Sequence, residues 1–376
     1  MLHIEKVTSQ HDQTPGLVDI FVKNNQKSLK FGNWSRYTAS EFGKQVCKNL
    51  ENDKIFIGTQ FGTDGIDLSK LINCEDKLKP NTVFEISALS YISMSTLERR
   101  SLKKYKYYIH DFIEGTYYIE EMAKTLKDVT YVSSCSHSEI TNINIPIFAF
   151  YTLAETLQTQ DVKFKPYTGK GKLALLPCHK PRPNRVNLLE RLDDLGVLND
   201  IDWSLFVNFD KSGEPGDFYK SSNVSLERWR WLSYHPFIRK YKNILPRTLD
   251  DIANFSECLP LPKNLNTRYK WYIGCETYNY THFVTEKTFK GFLGCMPTLT
   301  LAEVGFNSHL EKYGFIMPGK YDHLEDSARI EGITETLLNN NIPYLDDAVE
   351  TNFKLITDLD FLSNLVSKEL QKLFKE

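Results

Sequence analysis

The chain has 376 residues, 41% of them hydrophobic and 25% charged, with a formal net charge of −2. That balance excludes a chain too polar to bury a core, and it excludes a global field that would draw the protein to nucleic acid or an anionic membrane. The length suits two domains of ordinary size.

The first ~150 residues alternate short apolar runs with longer segments. Strands are predicted at Ile55–Gly58, Val83–Ile86, Tyr105–Ile109, Val129–Ser133 and Ile145–Phe150, all rich in β-branched and aromatic residues. The intervals between them are long enough for crossover helices, which favours a parallel sheet. Residues 158–172 break the pattern: Pro, several Lys and a Gly pair lie there without periodicity, and a domain boundary is expected. This gives an N-terminal α/β domain at 1–157, a linker at 158–172 and a C-terminal α/β domain with a helical tail at 173–376.

After the linker, Leu173–Pro177 reads as a strand and Pro183–Gly196 as an amphipathic helix. Its apolar positions Val186, Leu189, Leu192 and Leu195 follow a 3.6-residue period, and Gly196 is placed to stop it. Trp271–Cys275 reads as a buried strand, Thr285–Gly294 as a helix and Met296–Leu301 as the next strand. Beyond Asp322 the pattern is largely helical.

Seven cysteines, Cys47, Cys74, Cys135, Cys178, Cys258, Cys275 and Cys295, show no CxxC pair and no regular spacing. Reduced thiols in a cytoplasm are expected rather than a disulfide framework or a thiolate zinc site. No apolar run reaches the ~18 residues of a membrane span, and the first residues lack a signal-peptide pattern. The histidines show no metal-ligand spacing, and no DxD-like motif stands in a loop after a strand, so no metal is expected. Gly169-Lys170-Gly171-Lys172 fails the spacing of a phosphate-binding loop and reads as linker.

Two segments carry chemistry. In the first, an apolar strand ends at the carboxylate Glu276, a polar loop follows, and Thr285 stands before Glu286, Lys287 and an amphipathic run. Thr285 would cap that helix, whose open N–H groups, together with the Lys287 ammonium, suit an anionic diphosphate. A neighbouring carboxylate can accept hydrogen bonds from ribose hydroxyls. In the second, a strand runs through a Pro-braced basic loop, His179-Lys180-Pro181-Arg182-Pro183-Asn184-Arg185, into a helix. A planar guanidinium there can bind two phosphate oxygens at once.

Cys275-Glu276-Thr277, Thr285-Glu286-Lys287 and Gly294-Cys295-Met296-Pro297, in that order, resemble the donor-binding signature of the α1,3-fucosyltransferase superfamily and its viral, phage and bacterial branch. Leu310–Phe315 and Tyr321–Asp326 resemble the continuation in the viral branch, and the likeness spans roughly residues 170–335. Two departures stand out: Thr277 replaces an Asn, and the glycine usual after the Pro-led strand is missing from Thr300-Leu301-Ala302-Glu303.

The resemblance implies two Rossmann-like α/β domains of the GT-B type, with the donor site in the interdomain cleft. It implies a glycosyltransferase that uses a nucleotide-diphosphate sugar as co-substrate, inverts the anomeric carbon and needs no other cofactor. Glu286 would hold the ribose, Lys287 and Arg185 the diphosphate, and Glu276 the sugar side, with Thr285 shaping the helix start. Arg182 and Lys180 are further donor-side candidates. The catalytic base would come from the N-terminal domain, where Asp111 and Glu114 follow a strand and Asp64 is an alternative. Partners implied are the sugar donor and an acceptor, either a glycan or a hydroxylated base of phage DNA. The setting would be the cytoplasm of a bacterium or an infected host cell. Arg228-Trp229-Arg230-Trp231 and Arg239-Lys240-Tyr241-Lys242, with the basic run Arg99 to Lys106, are the residues that would touch DNA. Packing of those aromatics in the core, with the cations reaching outward, is the reading the helical spacing favours. A rival function is a non-catalytic nucleotide- or glycan-binding protein on a degenerate transferase fold.

Overall fold

The computed structural model describes most positions in 161–207, 231–247, 264–276, 283–339 and 345–370, together with five strands and a few further residues between 55 and 157. The chain divides into two compact units. One comprises Met1–Thr159, Tyr280–Val284 and Asp358–Glu376, and the other comprises Gln160–Asn279 and Thr285–Thr357. The fold is α/β, built on two parallel sheets.

In the first unit, β1 (Ile55–Thr59), β2 (Thr82–Ser87), β3 (Lys106–Asp111), β4 (Thr130–Ser133) and β5 (Asn142–Asn144) form one sheet in the order β1-β2-β3-β4-β5. Every pairing is parallel, with registers such as Phe84↔Tyr107 and Ile109↔Tyr131. Tyr108, Ile109 and Tyr131 are buried. Sequence order and sheet order coincide, so no reversal of order occurs among these strands. The strand expected at Ile145–Phe150 lies outside the described residues; β5 is a three-residue strand just before it.

In the second unit, β6 (Lys172–Pro177), β7 (Ile201–Ser204), β8 (Tyr269–Cys275) and β9 (Thr298–Leu301) form a parallel sheet ordered β7-β6-β8-β9. The helices of this unit are α1 (Pro183–Asp194), α2 (Pro236–Lys240), α3 (Leu265–Arg268), α4 (Glu286–Leu293), α5 (Phe306–Glu311), α6 (Asp326–Leu338) and α7 (Leu345–Thr357). A last helix, α8 (Leu359–Leu370), counts with the first unit and lies against β5.

Strand alternation divides the side chains of the second sheet between two faces. Ala174, Leu176, Trp271, Ile273, Cys275, Leu299 and Leu301 face a core shared with α1 and α6 through Val186, Leu189, Leu192, Ile330 and Ile333. Leu175, Tyr269 and Tyr272 face the other way, onto Leu265 and Met296. On that second face α4 packs on β8 and β9. It comes close because glycines meet there: a Cβ on Gly291 would lie 2.1 Å from Thr298 Oγ1, and one on Gly274 3.0 Å from the Thr288 backbone. Gly196 closes α1 at φ +71, where its N–H reaches the Asp193 carbonyl at 2.8 Å.

Residues 161–171 have no regular secondary structure, and they are laid along the second unit. Tyr167 Oη donates to the Lys270 carbonyl at 2.8 Å, and Thr168 Oγ1 donates to the Asn266 carbonyl at 3.0 Å. Gly171, at φ +89, passes so close to Arg268 that a Cβ would lie 2.1 Å from its carbonyl oxygen. The Gly-Lys-Gly-Lys segment, with Gly169 and Gly171 both at positive φ, leads directly into β6. No described helix is long and apolar enough to cross a membrane.

Candidate functional site at the strand reversal

In the second sheet, the crossover β6–α1–β7 runs one way and β8–α4–β9 runs the other. With right-handed crossovers, α1 and α4 then fall on opposite faces. The carboxyl ends of β6 and β8, from which the chain leaves for α1 and α4, stand side by side at this reversal, and such a reversal is where open α/β sheets bind ligands. Both sequence motifs lie at this one place.

Arg185, in the first turn of α1, is only 2% exposed. Its Nη2 donates to the Cys275 carbonyl at 2.8 Å and its Nη1 to the Lys180 carbonyl at 3.1 Å. The guanidinium therefore ties the β6–α1 turn to the end of β8. Arg182 is the N-cap residue of α1, with extended backbone and its carbonyl accepting from Val186 N at 3.0 Å. Cys275 ends β8 and Cys178 directly follows β6; both are buried and neither is in a disulfide. A thiol hydrogen bond between them pushes Cys275 up and, helped by Arg185, pulls Cys178 down.

Glu276 continues β8, its N–H bonding the Leu301 carbonyl at 3.0 Å, and its side chain is fully buried. Its carboxylate accepts from Thr288 Oγ1 at 2.7 Å, from Thr285 N at 3.4 Å, and from Thr285 Oγ1 by a short bond. Both oxygens are thus spent on the start of α4, so the carboxylate stitches strand to helix. Thr285 Oγ1 in turn caps the helix, accepting from Lys287 N at 3.3 Å and from Lys287 Nζ at 3.2 Å. Lys287 Nζ also pairs with Glu286 at 3.0 Å, the side chains being 27% and 17% exposed respectively. These two are the partly open groups of the cluster.

Burial raises the Glu276 carboxyl, with Lys287 and the two threonine hydroxyls opposing it. Burial also works against an ionised Glu286, yet Lys287, Lys290 and hydrogen bonds outweigh it and hold the group at about 2. Lys290, 4% exposed and one turn after Glu286, is lowered by burial to about 7 despite the attraction of Glu286. Lys290 was not singled out from sequence, although its i,i+4 spacing from Glu286 is a helical ion-pair signal.

Lys290 sets a pH dependence. Between about 7 and its ordinary 10.5, the unfolded chain binds a proton that the folded chain lacks, so this group's contribution makes stability rise with pH above 7. In urea unfolding at pH 7 and 9, the wild type is expected to gain stability relative to Lys290→Met. A difference that stays flat or falls would show that Lys290 is not held neutral.

Asp111 is the last residue of β3, paired in register with Ser133 in the first unit. Glu114 and Asp64 lie outside the described residues. Of the basic–aromatic segment, Tyr241 packs edge-on against Trp203 and donates to Asp193 at 2.7 Å. Lys240 pairs with Asp193, and Arg239 stacks over the exposed ring of Tyr234. Arg228–Arg230 lie outside the described residues. Among the described residues, no cluster of three or more His, Cys, Asp or Glu could hold a metal ion.

Neither the protein-family models nor the curated proteins include a match to this chain. Among solved structures, it is similar to a mutant of S. aureus TarM in complex with fondaparinux, α-GlcNAc-glycerol and UDP. The TM-score is 0.43 at 10% identity, over 81% of this chain and 58% of that one, so this chain spans less than two thirds of TarM. It is also similar to the N-terminal domain of Candida albicans trehalose-6-phosphate phosphatase, with a TM-score of 0.39 at 11% identity, over 81% and 73% of the two chains. At these scores neither likeness bears on activity.

Proposed function

We propose that this chain is a glycosyltransferase of the GT-B type that takes its sugar from a nucleotide diphosphate, with the diphosphate held at the strand reversal of the second sheet. One observation carries the reading. The two turns bearing the donor-type motifs stand on adjacent strands where the order reverses, and Arg185 joins them through the Cys275 carbonyl.

In this reading Lys287 and the start of α4 face the diphosphate, and Glu286, held ionised, accepts from the ribose hydroxyls. As the glycosidic bond breaks, the leaving diphosphate gains negative charge. A fixed ammonium and oriented N–H groups stabilise that charge, and removing one such donor typically costs ~10²–10³ in rate. Arg185 acts by holding the two turns in register. Lys287 supplies the positive charge that other transferases draw from a divalent ion. A carboxylate base, for which Asp111 and Glu114 are the candidates, deprotonates the acceptor hydroxyl, which attacks opposite the leaving group and inverts the anomeric carbon. The acceptor is a glycan or a hydroxylated DNA base. The engagement of Lys240 and Tyr241 by Asp193 favours the glycan.

A thermal-shift panel of GDP, UDP, ADP, CMP and their sugars tests the donor assignment. A ligand at ~100 times its Kd stabilises by about 2.7 kcal/mol, and at least one diphosphate is expected to do so. Lys287→Ala is expected to melt somewhat below the wild type, because Glu286 and Thr285 lose their partner, and to lose that shift. A panel without a hit, or a Lys287→Ala variant that keeps the full shift, would sink the proposal.

A further inference from the structure

On the opposite face of the second sheet from α4, a groove of about 370 Å³ runs between α1 and α6 over the carboxyl end of β9. Its volume lies in the range of small-ligand sites. Asn184, Asn187, Arg191 and Asp194 line it from one stripe of α1, spaced so that the stripe runs about 15 Å along the helix. Ser327 stands opposite on α6, and Leu301, Ala302 and Ile330 form an apolar floor. Asn187, Asp194 and Ser327 are exposed at the rim.

The positive charges on this groove are already engaged. Arg191 gives Nε and Nη2 to Glu331 at 3.0 and 2.7 Å, joining the two helices. Arg329 is buried and spends its guanidinium on the carbonyls of Leu324 and Ala302. With both guanidinium groups so committed, the groove is poorly equipped for phosphate. The carboxylates that line it, Glu190, Asp194 and Glu331, do not form a metal-binding cluster. What it presents is amide, hydroxyl and carboxylate groups along an apolar strip. Such a lining matches a pyranose, whose hydroxyls ring the edge while its C–H faces are apolar.

We infer that the α1–α6 groove is a binding site for a neutral oligosaccharide segment. The groove adjoins the strand-reversal cluster at Asn184 and Leu301 but is lined by neither Glu286 nor Lys287, and the inference does not depend on the donor reading.

The full chain is screened on an array of neutral and charged oligosaccharides, and hits are titrated calorimetrically at 50 and 500 mM NaCl. Neutral oligosaccharides are expected to bind, with affinity changing less than twofold across that salt range, because no charge on the ligand is there to be screened. The double substitution Asn187→Ala with Asp194→Ala is expected to weaken binding at least tenfold. Asn187→Trp, which fills the groove from an exposed position, is expected to abolish it while leaving the melting temperature within 2 °C of wild type (about 1 kcal/mol at most). Both variants are expected to keep the nucleotide-diphosphate shift, so a failure here is distinguishable from a failure of the donor assignment. The inference is overturned if no oligosaccharide binds, if only charged ones do, if affinity falls steeply with salt, or if hits bind both variants as they bind the wild type.

Discussion

Arg185→Ala is expected to lower the stability of the second unit by about 3–5 kcal/mol and to remove the nucleotide-diphosphate thermal shift. The substitution takes away a fully packed side chain and strips the Lys180 and Cys275 carbonyls of their donors. Each buried polar group left without a partner costs about 1–3 kcal/mol, and the vacated volume adds to that. For a unit of this size the melting temperature should fall by roughly 10 °C. Arg185→Lys keeps the charge but cannot reach two carbonyls with one planar fork, so it is expected to recover less than half of the loss. The alternative, a guanidinium that serves the phosphate directly and the fold little, predicts the reverse pattern. Under it, Arg185→Ala would melt within 2 °C of wild type and bind no nucleotide. That outcome would replace the clamp with a ligand contact.

Much of the second unit could be read from local pattern. The apolar run before Glu276 became β8, and Thr285 became the N-cap of α4 through its bond from Lys287 N. The amphipathic period of Pro183–Gly196 became α1, stopped at Gly196 with its left-handed backbone. The strand β7 went unread because Ile-Asp-Trp-Ser is too short for a period to stand out. Nor does any local signal say that β8 inserts beside β6 rather than beyond β7. That choice rests on long-range packing, and it brings the two motifs together. The roles of charged residues were the least legible. The resemblance implies that Arg185 and Glu276 face the donor, the guanidinium toward the diphosphate and the carboxylate toward the sugar. Both are buried, Arg185 donating to backbone carbonyls and Glu276 accepting from threonine hydroxyls, and no local pattern signals those bonds. The polar composition of 158–172 marked a break in pattern, but composition is blind to Tyr167 reaching back to Lys270.

Glu276→Ala is expected to cost about 2–4 kcal/mol and to abolish the nucleotide shift. Its removal leaves the hydroxyls of Thr285 and Thr288, both buried, without their acceptor. The first turn of α4 then loses its tie to β8, and Glu286 and Lys287 lose their placement. Glu276→Gln keeps the volume and one acceptor oxygen, and is expected to cost about 1 kcal/mol at pH 7. The two variants also separate packing from charge. Because burial raises the folded-state pKa of Glu276 above its ordinary 4.5, the stability it contributes is greatest below 4.5 and is lost as pH rises through the raised value. The margin of the wild type over Glu276→Gln in urea unfolding should therefore shrink between pH 4.5 and 7. A margin that grows over that range would mean the carboxylate is held ionised by its neighbours, and that burial is not the dominant influence on it. A Glu276→Ala protein as stable as wild type would mean that α4 is anchored by its apolar face alone, through Phe289 and Phe292 against Phe315.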